Sequence, residues 1–352
     1  MLDGISTSRR TIVGGALATG GALLVAPGSR RVAAQATPAA TPASPLLPDL
    51  PHGGIQADGT WAFTDDLGTV ITAPATPMRV VAHVGIAAAL LDFGFEVTGF
   101  YNPATDADGN RLPIAGDLPL DRLTHLGDYN DLDLEQLVAL KPDLFIGQNY
   151  GVETGGMWPF SDDVLAQIRE IVPVVSLAYG DDVTVVRNIE TIGNLATALG
   201  VDVEVPEVAA SRDAFHAASD ALAAALAGKP GLKTLFLSGS DTGFWVESAG
   251  GADTRYFRTL GMDIYPEEAN GEVSWEQLLN YPADLIFVDD RAPNWWQPSQ
   301  LAAEIPVWER HPAVIAGQVA PWRAQFISSY GGFTPILEEV VQWVTTANDS
   351  IA

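Results

Sequence analysis

From about residue 61 the chain alternates short apolar runs with stretches of helical spacing, and the pattern changes character twice. "TWAFTDDLGTVITAP" alternates apolar residues around Asp66 and Gly68, which predicts a hairpin. "MRVVAH" reads as a first core strand and "VGIAAALLDFG" as its helix, ended by Gly94. The runs "EVTGF", "DRLTHLG", "DLFIG" and "VVSLA" are short, apolar and bounded by turn residues, so they predict further strands. Helices in "LDLEQLVAL" and near Asp162–Ile171 separate the later ones, and strands alternating with helices predict a parallel, doubly wound sheet. Two helices then follow with no strand between them. "DDVTVVRNIETIGNLATALG" stops at Gly200, and "VPEVAASRDAFHAASDALAAALAG" runs to Gly228. The second is about 35 Å long at 1.5 Å per residue, well beyond an ordinary helix, and reads as a strut between two lobes. After it the α/β pattern restarts. "KTLFLS", "MDIYP", "DLIFVDD" and "GQVAPW" are strands and "DTRYFRTLG" is a helix. "FTPILEEVVQWVTTA" is a C-terminal amphipathic helix, with Ile336, Val340, Val341 and Val344 at helical spacing.

One phrase occurs in both halves. "LDLEQLVALKPDLFIG" begins at Leu132 and "VSWEQLLNYPADLIFV" at Val273; Glu135 matches Glu276 and Asp143 matches Asp284, each at an offset of 141. Each copy is a helix, a Pro-containing break and a buried strand, which is a unit of a parallel α/β sheet. A period this long is domain duplication rather than a solenoid. The expected fold is therefore α/β, with two similar doubly wound lobes joined by a long backbone α-helix. The lobes are expected at 59–204 and 229–352, and the linking helix at 205–228.

The N-terminus changes the picture of location. Arg9 and Arg10 precede an apolar run, Thr11 to Ala26, which leads to a small-residue Ala34-Gln35-Ala36 site. That reads as a twin-arginine signal over 1–36. The run is shorter than the roughly 20 apolar residues of a membrane anchor. Residues 37–58, rich in Pro, Ala and Thr, read as an extended linker. With no Cys there is no disulfide and no lipidated cysteine. The first 36 residues hold four Arg and one Asp, so their removal takes the net charge from −26 to −29. Nucleic acid is excluded as a partner, because phosphates demand a basic face. No G-x-S-x-G elbow, H-E-x-x-H or P-loop is present, and no enzyme activity is expected.

"FTDDLGTVITAPATPMRVVAH", "DLEQLVALKPDLFIG", "VSWEQLLNYPADLIFV" and "VWERHPAVIAGQV" together resemble the iron-siderophore and cobalamin substrate-binding proteins of bacterial ABC importers, from about Trp61 to about Val344. The resemblance implies a ligand held between the lobes and no resident cofactor. It implies a monomer, periplasmic or associated with the cell surface, that serves an ABC permease dimer with its ATPase. It also implies a surface glutamate on each lobe that meets permease arginines; here these are Glu135 and Glu276, expected to be exposed and away from the ligand loops.

Ligands in open α/β sheets bind beyond the carboxyl ends of the strands. Those loops hold His83, Tyr129, Asn149, Tyr150 and Trp158 in the first lobe. In the second they hold Trp245, Arg291, Trp295, Trp322, Arg323 and Tyr330. Aromatic walls suit a bulky organic ligand, and Arg291 or Arg323 is expected on its anionic oxygens. A ferric siderophore is the leading expectation. Haem, through Tyr150 or His83 as axial ligand, and cobalamin remain open. A bare Zn or Mn ion needs about three His plus a carboxylate; His83 with Asp289 and Asp290 is the nearest approach, so no dedicated metal site is expected. A surface or sensor protein that binds the same ligand without transport is the remaining alternative.

Overall fold

The computed structural model describes residues 50–352 except 151–155, 181–182, 248–249, 267–270 and 293. The expected signal over 1–36 and most of the expected linker lie outside the described residues. The end of that linker is corrected. His52–Ile55 forms strand β1, paired antiparallel with β2 (Trp61–Thr64), which pairs with β3 (Val70–Ala73). "HGGI" carries no apolar signal because the pairing is made by main chain. A Cβ at Gly53 would stand 2.1 Å from the Ala62 carbonyl oxygen, so glycine is what lets the strands meet.

The first lobe runs β4 (Val80–His83), α1 (Val84–Asp92), β5 (Gly99–Tyr101), β6 (Thr124–His125), α2 (Leu134–Leu140), β7 (Leu144–Asn149), α3 (Asp162–Ile171) and β8 (Val174–Ala178). Its five strands lie in the order β6-β5-β4-β7-β8, all parallel. The winding reverses between β4 and β7, and their carboxyl ends, at His83 and Asn149, frame the crevice where such sheets hold ligands. Helix α4 (Val185–Ala198) and the long α5 (Pro206–Ala227) follow.

The second lobe runs β9 (Lys233–Gly239), β10 (Gly243–Glu247), α6 (Ala252–Thr259), β11 (Asp263–Ile264), β12 (Glu272–Ser274), a 3₁₀ turn at Trp275–Asn280, β13 (Leu285–Asp289), α7 (Pro298–Glu304), α8 (Pro312–Ile315), β14 (Val319–Trp322) and α9 (Tyr330–Thr346). The order is β12-β10-β9-β13-β14, with β11 beside the start of β9. The run β9-β13-β14 is parallel, as in the first lobe. The difference is β10, which folds back antiparallel on β9 and pairs with β12. The pattern around "SGSDTGFWVE" reads as loop. Here Ser240 closes a tight turn, its Oγ accepting the Gly243 N–H at 3.2 Å, and only five residues of strand follow.

The two copies of the phrase share their buried and exposed positions, but the helix expected in the second is corrected to a 3₁₀ turn, Trp275–Asn280, directly behind β12, where the first copy forms the α-helix Leu134–Leu140. Leu137 and Leu278 are buried, while the flanking Glu135, Gln136, Glu276 and Gln277 are exposed. Asp143 and Asp284 also share a task. Asp143 Oδ2 accepts the Met78 and Arg79 N–H groups, and Asp284 Oδ2 accepts that of Lys233, so each carboxylate fixes the start of the central strand of its lobe. The doubled aspartate is thus structural.

Helix α5 is 22 residues long, about 33 Å. Pro206 starts it where no N–H partner is needed. Val208, Phe215, Ala218, Ser219, Leu222 and Leu226 form its buried stripe, which packs along α9 over Phe333, Leu337, Val340 and Val344. One continuous apolar cluster runs from the first lobe through α5 into the second. Helix α9 begins earlier than its apolar spacing suggests, because Ser329 Oγ accepts the Gly332 N–H at 2.9 Å and caps it.

Candidate ligand-binding cleft

Loops at the carboxyl ends of both sheets enclose a cavity of about 680 Å³. From the first lobe it is lined by His83, Tyr129, Gln148, Tyr150, Trp158 and Tyr179, and from the second by Glu247, Asp253, Arg291, Trp295, Trp322 and Phe326. A smaller space of about 240 Å³ adjoins it, sharing His83, Trp158 and Arg291 and reaching Asp290 and Arg323.

Trp158 is the centre of the first wall. Its ring meets those of His83, Tyr129 and Tyr150 edge-on at 5.9, 5.8 and 5.8 Å. Its backbone N–H donates to the Gln148 carbonyl at 2.9 Å, which ties it to the end of β7. Tyr129 has a positive φ of 48° and is held by its N–H on Asn102 Oδ1 at 2.9 Å. A left-handed tyrosine costs about 1–2 kcal/mol; the hydrogen bond offsets part of that and turns the ring into the cleft.

His83 is fixed in one form. It caps α1, with Nδ1 accepting the Gly85 N–H at 3.2 Å. The ring proton therefore sits on Nε2. Burial pushes its pKa down to about 3, so the imidazole stays neutral and offers the cavity an N–H donor.

Asp253 is the second perturbed group. Burial pushes its carboxyl up to about 6, opposed in part by the Trp322 indole N–H, which donates to Oδ2 at 2.7 Å. In the unfolded chain the group titrates near 4. Between about 4 and 6 only the folded protein keeps the proton, so stability falls as pH rises through that window and levels off above it. Asp253→Asn is expected to flatten the slope and to stabilise the protein at pH 7 by up to about 3 kcal/mol. Denaturant midpoints at pH 4.5 and pH 7 check this; a variant with the parent's slope would assign that slope to other groups.

Both arginines reach the cleft, but neither is free of its own lobe. Arg291 Nε donates to both oxygens of Asp289, at 2.9 and 3.1 Å, and its Nη2 joins the same carboxylate. Asp289 is buried and also accepts the Ser238 hydroxyl at 2.7 Å. Arg323 bridges Asp290 at 2.6 Å and Glu339 at 3.0 Å. The 141-residue offset carries Gln148 onto Asp289 and Tyr150 onto Arg291. In the first lobe the equivalent pair is neutral, the Tyr150 hydroxyl donating to Gln148 Oε1 at 3.2 Å.

The expected residues do not all converge. His83, Tyr129, Tyr150, Trp158, Arg291, Trp295 and Trp322 line the main cavity, and Arg323 lines the smaller one. Asn149 is buried at the end of β7, its carbonyl accepting the Tyr179 N–H at 2.8 Å. Trp245 sits half-exposed on β10, a strand rather than a loop, and lines neither space. Tyr330 is the first residue of α9 and packs between Phe93 and Phe215, with the Arg212 guanidinium 5.6 Å from its ring centre. Tyr179 was missed, although it directly follows β8 and the rule that selected Tyr150 selects it too. Glu247 ends the antiparallel β10 and Asp253 follows it, and that rule does not apply to such a strand.

Glu135 and Glu276 are exposed and line neither space, yet they are not remote from the ligand loops. Strand β6 is parallel to the sheet of the first lobe, and β12 runs in the direction of β9 because two antiparallel pairings separate them. Both therefore end on the cleft side. Helix α2 follows β6 through the loop that carries Tyr129, and the 3₁₀ turn follows β12 at once. The two glutamates thus stand at the cleft end of their lobes. Among the described residues, no group of three or more His, Cys, Asp or Glu gathers to hold a metal ion.

Residues 81–326 match the family described as "Periplasmic binding protein". No curated protein matches the chain. The solved structure of DesE, a ferric-siderophore receptor protein from Streptomyces coelicolor, is 31% identical, with a TM-score of 0.76 over 82% of this chain and 99% of that one. The siderophore periplasmic binding protein from the fuscachelin gene cluster of Thermobifida fusca is 22% identical, with a TM-score of 0.57 over 77% and 98%. SirA of Staphylococcus aureus, complexed with staphyloferrin B, is 18% identical, with a TM-score of 0.60 over 82% and 99%. The latter two share the fold.

Proposed function

Because the chain belongs to the periplasmic binding protein family, we propose that it works outside the cytoplasm, holding a ferric siderophore between its lobes and delivering it to an ABC importer. The observation that carries this reading is the aromatic cavity of about 680 Å³, a space for a bulky organic chelate rather than a bare ion. The similarity to DesE, a ferric-siderophore receptor, supports it. The contacts fall to the lining residues, with Trp158, Tyr129 and Tyr150 on one side and Trp295, Trp322 and Arg291 on the other. In this reading the twin-arginine segment takes the chain across the membrane, and Glu135 and Glu276 engage the two permease subunits.

Haem is less well served. Metal ligation by His83 Nε2 would require the ring proton to move to Nδ1, which already faces the Gly85 N–H. The Tyr150 hydroxyl is occupied by Gln148.

Trp158, Trp295 and Trp322 make the test direct. Intrinsic fluorescence is titrated with ferric siderophores of several classes, haem, cobalamin and ferric, zinc and manganese salts. Saturable quenching by at least one ferric siderophore, with a Kd below about 1 μM, is expected. Quenching by haem, cobalamin or a metal salt alone would replace this reading with that ligand.

A further inference from the structure

We propose that the cleft selects ferric complexes of zero or positive net charge, of the trihydroxamate class, and rejects polyanionic complexes such as ferric tris-catecholates. The inference rests on the siderophore reading above and concerns the same cavity.

The argument is the state of its cations. Arg291 and Arg323 are the only basic side chains among the described residues that line the two spaces, apart from the neutral His83. An anionic chelate would need both. Arg291 is held edge-on by Asp289, whose carboxylate is 0% exposed and would be left a buried charge without the guanidinium. Arg323 stands between Asp290 and Glu339. Two cations thus face three carboxylates that already pair with them. Glu247 and Asp253 line the main cavity as well, and Asp106 lines the smaller one. The electrostatic balance of the walls is negative at neutral pH.

The rest of the lining agrees. Asn294, Gln325, Gln148 and the His83 N–H are neutral polar groups, suited to the oxygens of an uncharged chelate. The faces of Trp158, Trp295 and the tyrosines tolerate or attract a cation. Three hydroxamates balance the charge of Fe(III), and a pendant ammonium makes the complex cationic. Three catecholates leave a charge of −3, and both arginines that the described residues bring to the cleft are already paired with carboxylates.

The test holds the frame constant and changes the charge. A linear ferric trihydroxamate with a free terminal amine (+1) is compared with its N-acetylated (0) and N-succinylated (−1) forms and with a ferric tris-catecholate (−3), by tryptophan fluorescence at low and high salt. The cationic and neutral forms are expected to bind alike within a few-fold. The −1 form is expected to bind about tenfold more weakly, and its affinity to rise with salt as repulsion is screened. The tris-catecholate is expected not to saturate. Glu339→Gln, which relieves Arg323 of one partner, is expected to improve the −1 form several-fold relative to the neutral form. If the tris-catecholate binds as tightly as the neutral trihydroxamate, the charge inference is wrong and the siderophore reading stands. If no ferric complex binds while haem or cobalamin does, both are wrong.

Discussion

Reversal of charge at both Glu135 and Glu276, to Arg, is expected to lower transport by at least about 100-fold, with ligand affinity unchanged. Both carboxylates are exposed, one per lobe, each on the helical turn of a repeated unit, and neither lines the cleft. Their position at the cleft end of the lobes puts them where a partner that receives the ligand must approach. Removing one member of a desolvated interfacial ion pair typically costs about 2–5 kcal/mol; two reversals add repulsion at two points. Each single reversal is expected to give a partial defect. Uptake of radiolabelled ferric ligand by cells carrying the cognate permease measures the effect, and fluorescence titration of the purified variant supplies the control. A double variant that transports at the parent's rate would remove both glutamates from the docking assignment.

The largest effect on stability is expected from Phe215→Ala, a loss of about 3–5 kcal/mol. Phe215 is 1% exposed and sits where α5 meets α9. Its ring stacks on Tyr256 at 5.8 Å and meets Tyr330 and Phe333 at 5.6 and 6.4 Å. The loss combines the transfer term of the ring with the void left among rigid aromatic neighbours that cannot collapse into it. Because the cluster around it continues into both lobes, the whole described fold should feel the change. Urea unfolding followed by circular dichroism measures it, and Phe215→Leu is expected to recover most of the loss. A Phe215→Ala midpoint equal to the parent's would mean that the α5–α9 seam contributes little.

The architecture was legible where hydrophobic spacing carried it. The repeated phrase, the strands "MRVVAH" and "DLIFVDD" and the uninterrupted helical run before Gly228 all follow from apolar periodicity, which packing then enforced. Strands β1 and β10 were hidden for opposite reasons: one pairs through glycine main chain with almost no apolar side chains, and the other is five residues behind a tight serine turn. The site was legible by position and less so by chemistry. Counting residues from strand ends finds His83, Tyr150, Arg291 and Trp322. It does not reveal that Arg291 and Arg323 are already engaged, because Asp289 and Glu339 meet them only through side-chain direction and the approach of α9. Tyr330 was misplaced for a local reason, the Ser329 cap that draws it into a helix.

The 141-residue offset makes the chain its own control for what each of its faces answers to. On the outward turn the copies keep Glu, Gln and Leu in step, as Glu135-Gln136-Leu137 and Glu276-Gln277-Leu278. At the strand ends they part: Gln148 and Tyr150 in one copy stand where Asp289 and Arg291 stand in the other. A partner built of two equivalent halves asks the same thing of both copies and holds them together. A chelate gripped on two sides has no such symmetry and lets each copy drift toward its own half of the ligand. Agreement at the exposed Glu135 and Glu276 is then the mark of symmetric demand and disagreement at the strand ends that of asymmetric demand, whereas Leu137 with Leu278 and Asp143 with Asp284 agree because each lobe needs the same buried contact and the same strand anchor.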